Sequence, residues 1–133
     1  PVIGGFHTPM EQECLRILLR GKQPVIICLA RSLGTRQIMD EYRAPLQEGR
    51  LLLISPFEAK HSRVTGTTSA YRNRVVGALA AKIFVAYAAP QGKTEQFCRA
   101  MIHWHKPLFT FNEPQTENLR ALGASAESFA LKD

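Results

Sequence analysis

The 133-residue chain has the length of one domain that buries a hydrophobic core without disulfides or metal ions. Hydrophobic residues make up 45% of it and charged residues 21%, which excludes an intrinsically disordered protein. The net charge of +6 favours an anionic partner such as a nucleotide or a nucleic acid. No apolar run reaches the roughly 18 residues of a membrane span, so we expect no membrane partner.

Short apolar strands alternate with helices from the start of the chain. Pro1–Gly5 is the end of a strand, and we expect a strand before it to be missing from this chain. Thr8 and Glu11 form a capping box for a helix that stops at Gly21. The next expected elements are a strand at Val25–Leu29, a helix at Gln37–Glu48 and a strand at Leu51–Ile54.

The central stretch predicts a helix that begins at Thr68 or Ser69, a strand at Ile83–Ala88 and a second helix from about Thr94. The strand is almost wholly apolar, which is typical of a strand covered on both faces in a parallel sheet. A last strand is expected at Leu108–Phe111, and a peripheral tail from about residue 112. This order predicts one α/β domain over residues 1–133, with a doubly wound, mostly parallel sheet.

Two strand-to-helix turns contain glycine and are therefore candidate anion sites. In open α/β sheets ligands bind beyond the carboxyl ends of the strands, where helix N-termini offer backbone N–H groups. The turn after the central strand makes Gln91, Gly92, Lys93 and Thr94 the first candidates. Gly4 and Gly5 form the second such turn, where the missing side chains would let a phosphate approach the backbone; the alternative is simply a tight turn.

Basic residues gather in the connections that follow the predicted strands. They are Arg31, Arg36, Lys60, His61, Arg63 and Lys93. We also expect Arg72 and Arg74 in the first turn of the central helix, an unfavourable place for cations that suggests a functional site. The alternative is that these two arginines pair with Glu11, Glu13 or Glu58 on the surface.

Polar and aromatic neighbours of these basic residues are further candidates. Asn73 could hydrogen-bond the backbone or a base edge. Phe6, Phe57 and Tyr71 lie beside strand ends or basic residues and are candidates for contacts with bases, although such aromatic residues are more often part of a core.

The sequence lacks the common cofactor and metal motifs, so we expect neither. Ala88 stands where a Walker A motif needs its first glycine, and no GxGxxG is present. His103 and His105 flank Trp104 and point in different directions, and no CxxC pair occurs. Cys14, Cys28 and Cys98 are expected to be small core residues of a cytoplasmic protein.

Four segments together resemble the DNA-processing protein A (DprA/Smf) family. Ile3-Gly4-Gly5-Phe6-His7 resembles its Ser-Gly-Gly-Ala-x-Gly segment, and Tyr71-Arg72-Asn73-Arg74-Val75-Val76-Gly77-Ala78-Leu79 resembles its Arg-Asn-Arg-Ile-Ile-x-x-Leu motif, the most specific match. Gln91-Gly92-Lys93-Thr94 stands where the family has Ser-Gly-Ser and Thr-Ala, and Lys106-Pro107-Leu108-Phe109 resembles its following strand. The family's Gly-Ser-Arg after the first strand is absent.

The resemblance covers about residues 2 to 111. It implies a Rossmann-like three-layer α/β/α fold, binding of single-stranded DNA in a basic pocket and, in full-length members, loading of the RecA recombinase. The residues expected at the phosphate-binding edge are Gly4, Gly5, His7, Arg31, Arg63, Arg72, Asn73, Arg74, Gln91, Gly92, Lys93 and Thr94.

Pro90-Gln91-Gly92-Lys93-Thr94-Glu95 also resembles the Pro-Gly-Gly-x-Gly-Thr-x-x-Glu motif of the Lonely Guy phosphoribohydrolases. The glutamate here follows Thr94 directly, which displaces the carboxylate by most of a helical turn and argues against catalysis. The favoured hypothesis is therefore a non-enzymatic binding domain for single-stranded DNA or a nucleotide. The alternatives are a nucleotide-sensing or nucleotide-cleaving Rossmann protein, and an interaction module that forms a homodimer.

Overall fold

The computed structural model describes residues 1–34 and 37–127. The elements are, in chain order, β1 (Val2–Gly4), α1 (Pro9–Arg20), β2 (Val25–Cys28), α2 (Asp40–Gln47), β3 (Leu51–Ile54), α3 (Gly66–Leu79), β4 (Ile83–Phe84), α4 (Lys93–His103), β5 (Leu108–Phe111), a 3-10 turn (Pro114–Thr116), α5 (Glu117–Leu122) and β6 (Ser125–Glu127). The fold is an α/β fold of the Rossmann-like kind, as predicted.

The strands pair in two parallel sets of three, β1-β2-β3 and β4-β5-β6. In the first sheet Val2 and Leu51 both pair with Val25. In the second, Phe109 pairs with Phe84 and Ser125. The chain divides into two compact units, residues 1–76 and 77–133, with the boundary inside α3. The expectation that residues 1–133 form one domain stays a prediction.

Unit 1 has its own core beneath the first sheet. The buried residues Leu15, Val25, Ile27 and Leu51 form it, with the side chain of Phe6 packed against them. Helix α1 faces this core because Leu15, Leu18 and Leu19 share one side of it, and Gly21 ends it as predicted. The Thr8 and Glu11 capping box is confirmed.

Unit 2 has a separate core around two fully buried side chains, Met101 and Leu119. The sequence predicts a peripheral tail from about residue 112, whereas Leu119 and Thr116 are buried and β6 extends the second sheet. The short helix expected near Leu119 is present as α5.

The second sheet and the cysteines follow the predictions only in part. Strand β5 is confirmed, but β4 ends at Phe84 and not at Ala88. Just beyond its end, the Val85 N–H still donates to the Phe109 carbonyl at 2.9 Å, and the Val85 carbonyl accepts from the Thr110 hydroxyl at 2.7 Å. Cys28 and Cys98 are buried as expected, whereas Cys14 is exposed.

Helix α3 begins earlier than predicted. The Thr65 hydroxyl accepts from the Thr68 N–H at 3.1 Å, and the Thr68 hydroxyl accepts from the Thr65 N–H at 2.8 Å. These reciprocal bonds are those of a capping box, so the helix starts at Gly66. At its other end Lys106 Nζ donates to the carbonyls of Ala78 and Ala80, at 3.0 and 2.8 Å.

Candidate nucleic-acid interface

The carboxyl ends of β1, β2 and β3 lie along one edge of the first sheet, because the three strands are parallel. Gly5 follows β1, and Arg31 lies a few residues after β2. Ser55 follows β3, and its hydroxyl donates to the Arg31 carbonyl. We call this row of strand ends the carboxyl edge of unit 1.

Arg72 reaches this edge from helix α3 and is almost completely buried, with 5% of its surface exposed. Its Nη1 donates to the Cys28 carbonyl at 3.3 Å, at the end of β2. Its Nε donates to Asn73 Oδ1 at 2.8 Å. Burial lowers the pKa of the Arg72 guanidinium, and the charge of Glu11 opposes that shift. An arginine still remains charged, so a positive charge is fixed inside this edge.

Gly5 lies directly against the Arg72 guanidinium. A Cβ added to Gly5 would lie 2.6 Å from Arg72 Nε, closer than real Cβ atoms approach other atoms. Gly4 is less restricted, since a Cβ there would meet the Phe6 ring at 3.3 Å. A side chain at position 5 would therefore displace the Arg72 guanidinium from its present place.

Arg74 does not share the position of Arg72. Because α3 begins at Gly66, both arginines lie beyond its first turn, and the expected conflict with the helix dipole is wrong. Two residues apart on a helix, the side chains point to different sides: Arg72 is buried and Arg74 is exposed. In the described part of the chain, neither forms an ion pair with Glu11, Glu13 or Glu58.

The turn between β1 and α1 uses its own carboxylate to satisfy the helix N-terminus. Glu11 Oε2 accepts from the N–H groups of His7 and Thr8, at 3.1 and 2.8 Å. These two N–H groups are thus taken by Glu11, and the expected phosphate contact at Gly4 and Gly5 stays a prediction. Phe6, in the same turn, has a left-handed φ of 49°. The His7 side chain is exposed.

The remaining predicted residues of unit 1 lie on or beside the loop between β3 and α3. Arg31 is half-buried and its Nη1 donates to the Ser32 carbonyl at 3.1 Å. Arg63 is exposed. The loop is fixed to the carboxyl edge because the Ser32 N–H donates to the His61 carbonyl at 2.7 Å. Arg36 lies outside the described residues.

In unit 2, the turn from β4 to α4 contains the other predicted residues. Gly92 is the N-cap of α4 and makes no side-chain capping bond. Gln91 has a left-handed φ of 62°, and its backbone N–H bonds to the Glu95 carboxylate. Lys93 and Thr94 are exposed in the first turn of the helix.

Glu95 holds this turn from inside unit 2, with 4% of its surface exposed. Its carboxylate accepts from Asn118 Nδ2 at 2.6 Å and from Arg99 Nη2 at 3.1 Å. The hydrogen bond from Asn118 has the largest effect on the pKa of the Glu95 carboxyl. Together the hydrogen bonds lower this pKa, although burial alone would raise it. Asn118 Nδ2 also donates to the Ala88 carbonyl at 2.9 Å.

The structure thus brings Gly5, Arg72 and Asn73 together and leaves Arg63, Arg74, Lys93 and Thr94 exposed. The single phosphate-binding edge that would include residues of both units stays a prediction. Sequence reasoning missed Asn118 and the anchoring role of Ser55. For Ser55, the signal was a serine directly after a strand and before a proline, a pattern typical of turns in which the hydroxyl accepts a backbone N–H.

Within residues 1–34 and 37–127, no group of three or more His, Cys, Asp and Glu side chains is placed to hold a metal ion. Among the same residues, no helix has the length and apolar character needed to cross a membrane.

No protein-family model matches the sequence, and no curated protein matches it. The structure matches the X-ray structure of DNA processing protein A from Streptococcus pneumoniae with a TM-score of 0.73 and 13% sequence identity. Its fold is similar to that of DNA processing protein A. The match covers 95% of this chain and 47% of the DprA chain, so the chain spans about half of that relative.

A second DprA structure, from Helicobacter pylori, matches with a TM-score of 0.63 and 18% identity over 97% of this chain and 74% of the other. That protein is described as having a unique single-stranded DNA binding mode. At these identities the likeness establishes the fold, and it confirms the resemblance to DprA that the motifs predict.

Proposed function

We propose that this chain is a non-enzymatic binding domain for single-stranded DNA, of the DprA kind. The observation that carries the proposal is the charge of Arg72, fixed at the strand ends beneath the backbone of Gly5. A buried cation beside the Gly5 backbone attracts an anion, and Gly5 has no side chain to keep that anion from the main chain. The single-stranded DNA binding of the H. pylori relative supports a polymer as the ligand.

The predicted residues have different roles in this proposal. Arg72 acts through its fixed charge, and Asn73 holds it in position. Arg31, Arg63 and Arg74 contact phosphates directly from their half-buried or exposed positions. In unit 2, Gly92, Lys93 and Thr94 make a separate phosphate contact, with Gln91 shaping the turn.

A free nucleotide is the second candidate ligand, because the glycine turn before α4 would also suit a single phosphate. Cleavage of that nucleotide is not supported. Glu95, the carboxylate nearest to the phosphoribohydrolase motif, is buried and already accepts from Asn118, Arg99 and the Gln91 backbone. A general acid needs a carboxyl within reach of its substrate.

The test is a fluorescence anisotropy titration of the whole chain with a short labelled oligothymidylate at two salt concentrations, with AMP as competitor. We expect salt-dependent binding that AMP does not displace. Arg63 and Arg74 are changed together to alanine. The slope of log affinity against log salt concentration should then become shallower by about 0.7 for each phosphate that the variant no longer neutralises. Lys93→Ala tests unit 2 separately.

Arg43→Ala is the matched control, because Arg43 is an exposed arginine of unit 1 that pairs with Asp40 on α2. It should leave the salt slope unchanged. An unchanged slope in the Arg63/Arg74 double variant would overturn the assignment of these contacts. Displacement by AMP, or no binding of the oligonucleotide, would overturn the proposal of a polymer ligand.

Three further parts of the proposal rest on the resemblance to DprA and on composition. We propose a recombinase as protein partner, a homodimer as the assembly, and the cytoplasm as the location. The three free cysteines support a reducing compartment. Size-exclusion chromatography with light scattering tests the homodimer, and a monomer at all concentrations would contradict it.

A further inference from the structure

Unit 1 has an open pocket of about 310 Å³ between the loop that follows β3 and the exposed side of α3. Its lining combines three rings with charged side chains: Pro56, Phe57, Glu58, Lys60, His61 and Tyr71. The volume is at the lower end of the range of small-ligand pockets, which suits one planar heterocycle.

The three aromatic rings are inclined to one another and do not stack in parallel. The Phe57 centroid lies 5.6 Å from those of His61 and Tyr71, and the planes are inclined by 61° and 57°. Tyr71 is 54% exposed, although aromatic side chains normally bury most of their area. An aromatic face is therefore open to a ligand at the rim of the pocket.

The pocket is fixed to the carboxyl edge of unit 1. The Ser55 hydroxyl bonds to the Arg31 carbonyl and also accepts from the Phe57 N–H at 3.1 Å. The His61 carbonyl accepts from the Ser32 N–H, and its own N–H donates to the Glu58 carbonyl at 2.9 Å. The rings are thus held beside the strand ends before any ligand arrives, which lowers the entropic cost of binding.

We propose that this pocket binds a nucleobase of the single strand by stacking it on the exposed face of Tyr71, with the inclined Phe57 ring against the edge of the base. The inference rests on the proposed function and names the part of the ligand that this site takes. Bases stack on aromatic side chains regardless of sequence, because every base has an aromatic face.

The charges around the pocket fit a strand whose base is inside and whose backbone is outside. Lys60 is exposed and only loosely paired with Glu58, at 3.8 Å. Arg63 follows three residues later on the same loop and is also exposed. Both side chains are available for phosphates, while the Glu58 carboxylate can accept from an exocyclic amino group.

The experiment compares two ligands: a short oligothymidylate and a deoxyribose-phosphate oligomer of the same length without bases. The full chain and its Tyr71→Ala, Tyr71→Phe and Tyr87→Ala variants are titrated with both. Tyr87 is the matched control, because it is a tyrosine of unit 2 with a similar exposure of 52%.

We expect Tyr71→Ala to weaken binding of the oligothymidylate by roughly 10-fold. It should leave binding of the base-free oligomer unchanged. Tyr71→Phe should retain full affinity because it keeps the ring, and Tyr87→Ala should bind both ligands normally.

Equal loss on both ligands, or no loss on either, would overturn the stacking pocket while the salt-dependent binding of the wild-type chain still supports the proposed function. If the wild-type chain binds neither ligand, the proposed function itself fails, and the pocket with it.

Discussion

The turns from β1 to α1 and from β4 to α4 have the same plan, with different consequences. Each has one non-glycine residue in the left-handed region, Phe6 or Gln91, and each helix has glutamate at its third position. Glu11 is exposed and turns back to cap its own helix, whereas Glu95 is buried and binds Asn118. In the first turn Glu11 thus takes the N–H groups of His7 and Thr8. In the second Glu95 takes only that of Gln91, and the N-cap Gly92 makes no side-chain capping bond.

This difference separates the two units as the anion sites that we propose. In unit 1 the attraction would come from a buried side chain, Arg72, with the Gly5 backbone beside it. In unit 2 it would come from the helix N-terminus with Lys93 beside it. Similar local sequence patterns therefore produce two electrostatic arrangements, since the longer-range partners of each turn differ.

The largest effect on stability should follow from Gly5→Ala, which disturbs the contact between Gly5 and Arg72 in unit 1. The new Cβ would displace the Arg72 guanidinium from its bonds with Cys28 and Asn73, so we expect the free energy of unfolding to fall by about 2 kcal/mol. Urea denaturation followed by circular dichroism measures it.

Gly21→Ala is the control for that measurement. A Cβ at Gly21 meets its nearest atom at 3.5 Å, an ordinary contact, so the change should be small. If Gly5→Ala is as stable as Gly21→Ala, the packing of Arg72 against Gly5 is wrong.

An intermediate effect is expected when the helix cap of the first turn is removed. Thr8→Ala should lower the free energy of unfolding by about 1 kcal/mol, because Thr8 Oγ1 accepts the Glu11 N–H. Thr94→Ala is its counterpart in the turn that has no side-chain cap, and it should change stability much less. Equal losses in the two variants would contradict the contrast between the turns.

The smallest effect should appear as a change in pH dependence. The pKa of Glu95 is lowered in the folded chain, so its contribution to stability is complete above its ordinary value of 4.5 and is lost as pH falls through the lower folded pKa. Glu95→Gln should therefore reduce the acid-dependent loss of stability, measured by urea denaturation at neutral and acidic pH. Glu117→Gln, at an exposed position of α5, is the control. An unaltered pH profile in Glu95→Gln would refute this role.

The local features of the fold were predictable from the sequence, because they depend on neighbouring residues. Strands β3 and β5 are short apolar runs between turn residues, and the Thr8 capping box has its usual spacing. The start of α3 was missed because Thr68 takes the place that glutamate or glutamine normally has in a capping box.

The features that were not predictable depend on residues far apart in the chain. Arg72 is buried because its guanidinium meets the Cys28 carbonyl, 44 residues away. Just beyond the end of β4, the Val85 carbonyl accepts from the hydroxyl of Thr110, 25 residues away. Periodicity reports which face of an element is apolar, and it contains no information about such pairings.

Lys106, in the loop that follows α4, contacts the C-terminal end of α3 through its side-chain amine. Its ammonium group supplies the donors for the carbonyls of Ala78 and Ala80, at the C-terminus of the helix that carries the Arg-Asn-Arg sequence. Acetylation of this one amine would remove its charge and all but one of its N–H bonds. The C-terminus of α3 would then keep fewer of the hydrogen bonds that satisfy its last carbonyls.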